Sequence, residues 1–372
     1  MFQKAVFPGK YIQGSGAMVE LPSLIRLLGK QGLILASPSV QEKVLPRCPV
    51  DWVAEGIPVE RFRGECCEDE VQRVSAAVSD RRVDVLVAMG GGKTIDTAKI
   101  VADRAGIPVI VVPTVASTDA PCSGCAVLYS RGGVFETVCY QKTNPAAVLV
   151  DVDVIAAAPP RFLVAGMGDA LATWFEARSC DRTQSSNECG GLGTLVGLHI
   201  ARLCYETLLT YGRAARLAGE RHLVTPALER IVEANILLSG LGFESAGLAA
   251  AHSIHNGLTA LPQTHAFYHG EKVAFGVLAG LQLTGAPPDE WGVVFSFCEN
   301  VGLPTTLGDI GIGHAGPDQL MKVAELACAP GQPIHHEAGP ISPEKVLHAM
   351  LAADATGQAR KRNGGNPPTA VS

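Results

Sequence analysis

The 372-residue sequence predicts an α/β domain with a doubly wound, mostly parallel sheet, followed by an all-α domain. Three observations carry the prediction. Five short apolar runs alternate with helical patterns in the N-terminal part. Those runs are apolar throughout, which fits strands covered on both faces rather than strands with one wet side. Beyond the pair Pro159–Pro160 the strands stop and long Ala- and Leu-rich stretches take over. The expected division is residues 1–160 for the α/β domain and 161–372 for the helical one, with the two prolines as the hinge.

The expected strands are "GLILA" (32–36), "IPVERF" (57–62), "VDVLVAM" (83–89), "IPVIVVP" (107–113) and "AAVLVDV" (146–152). Segments such as "EDEVQRVSAAVSDR" between them place apolar residues at helical spacing. In the second half, "RIVEANILLSGLGFESAGLAAAH", "EKVAFGVLAGLQL" and "EKVLHAMLAAD" read as helices. Ser342 followed by Pro343 reads as an N-cap with proline at the first helical position. The polar tail "ARKRNGGNPPTAVS" is expected to fray.

A net charge of −6 without long charged blocks gives no footprint for nucleic acid or an anionic membrane. The N-terminus lacks the apolar core of a signal peptide, and eleven cysteines in so long a chain favour a reducing compartment, so a cytoplasmic protein is expected. Cys122 and Cys125 form a C-x-x-C with no second pair to complete a zinc site, and both read as small loop residues. From Ser245 to Gly270 there is no Asp, Glu, Lys or Arg. Four histidines, Asn256, Pro262 and Gln263 within it would be costly in lipid, so the stretch reads as a protein interior with polar work to do.

The stretch "VLVAMGGGKTIDTAK" (85–99) runs from a strand through Gly90, Gly91 and Gly92 into a helix. Its "GKT" is half of a Walker A loop, but Val87 stands where the first glycine would have to be. What remains is a tight turn whose backbone N–H groups open a helix, suited to a diphosphate. Asp96 is expected to complement the helix dipole in the first turn. A dinucleotide site also wants an acid at the end of the first strand, and Ser37 stands there. The other pair of glycines, in "GSGAM" (14–18), lacks a third glycine and a good preceding strand.

In the second half, Asp169 follows two glycines at an expected helix start, and His252, His255, His265 and His269 fall within eighteen positions. His252 and His255 share a helix face that Asn256–Gly257 would end. Imidazoles with one carboxylate are the donor set of a catalytic Zn²⁺ site. Spacing alone does not say which two histidines bind.

The blocks "MGGGKTIDTAK", "VPTVASTDAPCS", "GMGDALATWFEARS" and "GLAAAHSIHNGLTA…YHGEKVAFG" resemble the glycerol dehydrogenases, in the metal-dependent branch of the iron-containing alcohol dehydrogenase superfamily. The resemblance runs from "PGKYIQG" at residue 8 past "YHGEK" and implies a Rossmann-like domain in a dehydroquinate synthase-like architecture. It implies metal ligation by Asp169, His252 and His269, with His255 and His265 supporting the ligands, lining the site or serving only the structure. Cofactor contacts fall on Gly91, Gly92, Lys93, Thr114, Ser117, Ser123 and Tyr129, with Cys125 counted beside them. Asp119 matches the residue that meets the substrate hydroxyls, near the metal-bound end at His252. Thr173, where iron-dependent relatives carry a fourth ligand, favours Zn²⁺ over Fe²⁺. Ser37 replaces a common aspartate, so the expected cofactor is NAD with some tolerance of NADP.

The implied reaction is hydride transfer from glycerol or another vicinal diol to NAD, giving dihydroxyacetone and NADH. Substrate is expected in the cleft between glycine turn and metal ligands, with His255 as a candidate proton relay and Asp119 orienting the diol. Among alternatives of the same fold, a glycerol-1-phosphate dehydrogenase or a dehydroquinate synthase-like lyase needs basic residues for its anionic substrate. Residues 245–270 offer none before Lys272, which favours a neutral polyol. A P-loop nucleotide-binding protein is the remote alternative. Resemblance also implies a homo-oligomer, an octamer, with no nucleic acid or membrane partner.

Overall fold

A computed structural model describes residues 1–363. It divides into two compact units, one of residues 6–163 with 218–240, the other of residues 1–5, 164–217 and 241 onward. The segment 218–240 belongs with the α/β unit because its polar side chains are spent there. Asn235 Nδ2 donates to the carbonyls of Ala116 and Leu163, both at 3.0 Å, and Ser239 Oγ donates to Asp119 Oδ2 at 3.0 Å. The sequence division at residue 160 had placed this segment in the helical half.

The α/β unit contains β1 (Tyr11–Gly14), α1 (Leu21–Leu28), β2 (Gly32–Ala36), α2 (Pro38–Lys43), β3 (Val59–Arg61), α3 (Glu68–Asp80), β4 (Val85–Gly90), α4 (Gly92–Ala105) and β5 (Val109–Pro113). An antiparallel pair, β6 (Cys125–Tyr129) and β7 (Phe135–Tyr140), precedes β8 (Ala147–Asp151) and α5 (Val152–Ala157). The main sheet has the order β1-β8-β5-β4-β2-β3 with every pair parallel. Its four central strands are buried throughout, as their unbroken apolar runs require, and the edge strands β1 and β3 are half-buried. The chain steps outward from β2 to β3, then returns to the other side of β2 with β4 and continues through β5 to β8. The direction therefore reverses between β2 and β4, and ligands of doubly wound sheets bind at the carboxyl ends of the strands at such a switch point.

Two expectations are corrected here. "GSGAM" does follow a strand, β1, but its turn is already claimed: Gly16 N and Met18 N donate to Asp153 Oδ2 and Asp151 Oδ2. Asp96 lies beyond the first turn of α4 and is buried, so it does not serve the helix dipole.

The helical unit contains most of α6 (Pro160–Thr183) and α7 (Leu195–Glu220), then α9 (Ser239–Ala246) and α10 (Ala250–Leu258). It continues through α11 (His269–Leu283), α12 (Pro288–Val301), α13 (Pro317–Ala327) and α14 (Pro343–Arg362), while α8 (Pro226–Glu233) belongs to the other unit. Ser342 caps α14 by accepting from Lys345 N at 3.4 Å. The tail expected to fray is helical through Arg362, and its remainder from 364 lies outside the described residues. Among the described residues no single helix is long and apolar enough to cross a membrane.

Candidate metal centre and dinucleotide site

The metal centre is built by helices that approach more closely than side chains permit. A Cβ added at Gly270 would lie 1.8 Å from the Ala165 carbonyl oxygen, and one at Gly168 2.3 Å from that of Gly270. Gly276 meets the Ala251 carbonyl in the same way, at 2.4 Å. Backbone therefore crosses on backbone where α11 passes α6 and α10, and only glycine fits. Asp169 beside Gly168, His269 beside Gly270 and His252 beside Ala251 are thereby brought together.

His269 Nε2 lies 3.0 Å and His252 Nε2 3.5 Å from Asp169 Oδ1. One donor atom from each residue falls within 4.8 Å of the others. A tetrahedral site with bonds of about 2.1 Å has edges of about 3.4 Å, so the three donors fit a small divalent cation. Burial alone would raise the Asp169 carboxyl, but the His269 and His252 imidazoles outweigh it and hold the group well below the usual carboxylate range. Burial likewise opposes a charged His252 ring, yet Glu176 and Asp169 on its two sides raise it well above the ordinary imidazole value. Carboxylates that hold a proton so firmly between them are suited to holding a metal cation in its place.

The sequence reading missed Glu176. It sits two helical turns after Asp169 on α6, and that spacing is the signal that would have exposed it. Its Oε2 accepts from His252 Nδ1 at 2.6 Å, and its Oε1 accepts from the backbone N–H of Ala249 (2.9 Å) and His252 (3.0 Å). The carboxylate thus caps the start of α10 and fixes the orientation of the His252 ring, so that Nε2 faces Asp169 and would turn its lone pair on a cation that displaces the proton.

The other two histidines separate. His255 packs edge-on against His269 with ring centroids 4.2 Å apart, and its Nδ1 bonds Asn256 Oδ1. Burial, with His269, Lys272 and His252 around it, keeps that ring well below its ordinary value and therefore neutral. His265 donates to the Thr259 carbonyl and stands outside the metal cluster.

In the α/β unit the residues expected at the cofactor gather at the switch point. Ala36 pairs with Met89 and Gly90 with Pro113, so Ser37, the Gly90–Gly92 turn and Thr114 follow three neighbouring strands. Ser37 N donates to Met89 O, and Thr114 N to Gly90 O. No side chain caps α4 at Gly91, and a Cβ at Gly92 would meet open space, as an anion-binding helix start requires. Lys93 Nζ pairs with Glu65 at 2.5 Å and lies 5.3 Å from the Tyr129 ring centroid. Ser123 Oγ accepts from Cys125 Sγ at 3.5 Å. Asp119, at the start of a short 3₁₀ turn with Ser117 just before it, is held by Ser239.

A dinucleotide-type sheet in one unit and an Asp–His–His cluster in the other are the components of a metal-dependent dehydrogenase. The profile of the iron-containing alcohol dehydrogenases matches residues 8–152. A glycerol dehydrogenase of Thermotoga maritima is 50% identical over 362 residues, covering 97% of this chain and 99% of its own length. A solved structure described as a probable glycerol dehydrogenase from Sinorhizobium meliloti has a TM-score of 0.90 at 46% identity, covering 96% of this chain and 99% of its own. That of glycerol dehydrogenase from Schizosaccharomyces pombe has a TM-score of 0.92 at 34% identity, covering 100% and 96%. The chain belongs to the iron-containing alcohol dehydrogenase family, in its glycerol dehydrogenase branch.

Proposed function

We propose that the chain oxidises glycerol, or a related vicinal diol, to the hydroxyketone with NAD as hydride acceptor. The observation that carries this reading is the convergence of Asp169, His252 and His269 braced by Glu176. Those three residues would hold a divalent ion, which would supply the Lewis acidity that lowers the pKa of a substrate hydroxyl. NAD supplies the redox chemistry, and the protein's part is to hold and align.

Each residue has a defined task. Glu176 presents the neutral face of His252, and Asp169 contributes the only negative charge among the three ligands. Gly91, Gly92 and Lys93 receive the diphosphate at the start of α4, with Thr114, Ser117, Ser123, Cys125 and Tyr129 beside the rest of the cofactor. Asp119, oriented by Ser239, accepts hydrogen bonds from the diol. His255, held neutral, lines the site; as a proton acceptor it would have to overcome its own burial. Thr173 at the fourth-ligand position favours Zn²⁺ over Fe²⁺, and Ser37 leaves room for a 2′-phosphate. All eleven cysteines are free, in keeping with a reducing cytoplasm, and self-association belongs to the same reading.

The test is to purify the protein, quantify bound metal and follow NADH formation with a panel of polyols. Stoichiometric zinc with glycerol turnover supports the proposal, and metal-free protein with full turnover overturns it.

A further inference from the structure

Lys99 has no part in the chemistry above, yet it is only 1% exposed in the middle of α4. Its ammonium donates to the Ala120 carbonyl, to Ser123 Oγ at 3.1 Å and to the Cys125 carbonyl at 3.1 Å. Three donors meet three acceptors. The three acceptors run from Ala120 to Cys125, the first residue of β6, directly after Asp119. One buried ionisable side chain of α4 therefore grips the segment from Ala120 to Cys125.

Burying an ammonium costs several kcal/mol of hydration, and apolar packing would tether a loop at less cost. Charge-assisted bonds give direction as well as strength, so they fix the position of each acceptor. We infer that Lys99 is a positioning residue for the cofactor: it acts through Ser123 and the Ala120 and Cys125 carbonyls to hold this loop in its cofactor-receiving shape before the dinucleotide arrives. Preorganisation of this kind appears as affinity, because a loop already ordered loses less entropy on binding. The inference rests on the dehydrogenase reading.

The experiment compares wild type, Lys99→Met and Lys99→Gln as zinc-loaded full-length proteins. NADH affinity is measured by fluorescence titration, the KM for NAD and for glycerol separately, and zinc stoichiometry and melting temperature alongside. Loss of the tripod should weaken NADH binding about tenfold or more and raise the KM for NAD equally, with zinc stoichiometry unchanged. In Lys99→Ala, added propylammonium should recover NADH affinity and the uncharged propanol should not. If Lys99→Met does not fold, the NADH affinity of Lys99→Gln decides. A folded variant with a lowered melting temperature but wild-type NADH affinity overturns the inference and leaves the dehydrogenase reading intact. Wild-type protein that binds no NADH would instead refute that reading.

Discussion

Glu176→Gln isolates the brace behind the metal ligands. The substitution keeps the volume and one carbonyl oxygen, which can still accept from the Ala249 and His252 backbone N–H groups at 2.9 and 3.0 Å. It places an NH₂ where Oε2 accepts from His252 Nδ1 at 2.6 Å, so two donors face each other. Either the imidazole changes tautomer, turning an N–H toward the ion, or the amide flips and leaves the backbone groups of α10 unsatisfied. Both routes weaken the ligand. Loss of such an outer partner costs about 10–100-fold in metal affinity, or about 1.4–2.8 kcal/mol. The assay is competition for Zn²⁺ against a chromogenic chelator at fixed pH, with circular dichroism to confirm folding. A folded Glu176→Gln protein with wild-type zinc affinity would refute the reasoning.

Gly270→Ala forces a methyl group into the backbone of α6, 1.8 Å from the Ala165 carbonyl oxygen. Overpacking against backbone should cost about 3 kcal/mol or more and reduce zinc binding, seen as a lowered melting temperature with substoichiometric metal. Asp96 has its pKa raised from 3.8 to about 6 by burial, against the pull of Lys99. The folded state thus binds the proton more tightly than the unfolded chain, and this group's contribution to stability falls as pH rises from about 4 to 6. Asp96→Asn abolishes that loss, so its stability relative to wild type should climb over the same window by on the order of 3 kcal/mol and then level, in urea unfolding across pH. Ser37→Asp should lower kcat/KM for NADP relative to NAD by about tenfold or more, through repulsion of the 2′-phosphate. An unchanged ratio removes Ser37 from the discrimination.

The central strands were legible because burial on both faces writes itself as unbroken apolar runs. β1 was missed because "YIQG" is four residues long and half-buried, and β7 because most of "FETVCY" faces solvent and carries no strong pattern. "GKT" does open a helix, α4, whose start no side chain caps, whereas Asp96 was misread because position along a helix does not reveal which side faces the core. The four clustered histidines announced polar work in an apolar stretch. Spacing could not choose among them, since the choice is made by crossings at Gly168, Gly270 and Gly276 between helices distant in sequence. Glu176 and Lys99 drew no separate reading in the sequence, because nothing local to them shows that partners distant in sequence bury them.

The proposed function depends most on where a divalent ion sits. Crystals grown with zinc and measured at the zinc absorption edge should show one anomalous peak bonded to an Asp169 carboxylate oxygen and to Nε2 of His252 and His269. A strong peak elsewhere in the chain, with these three side chains unligated, would contradict it.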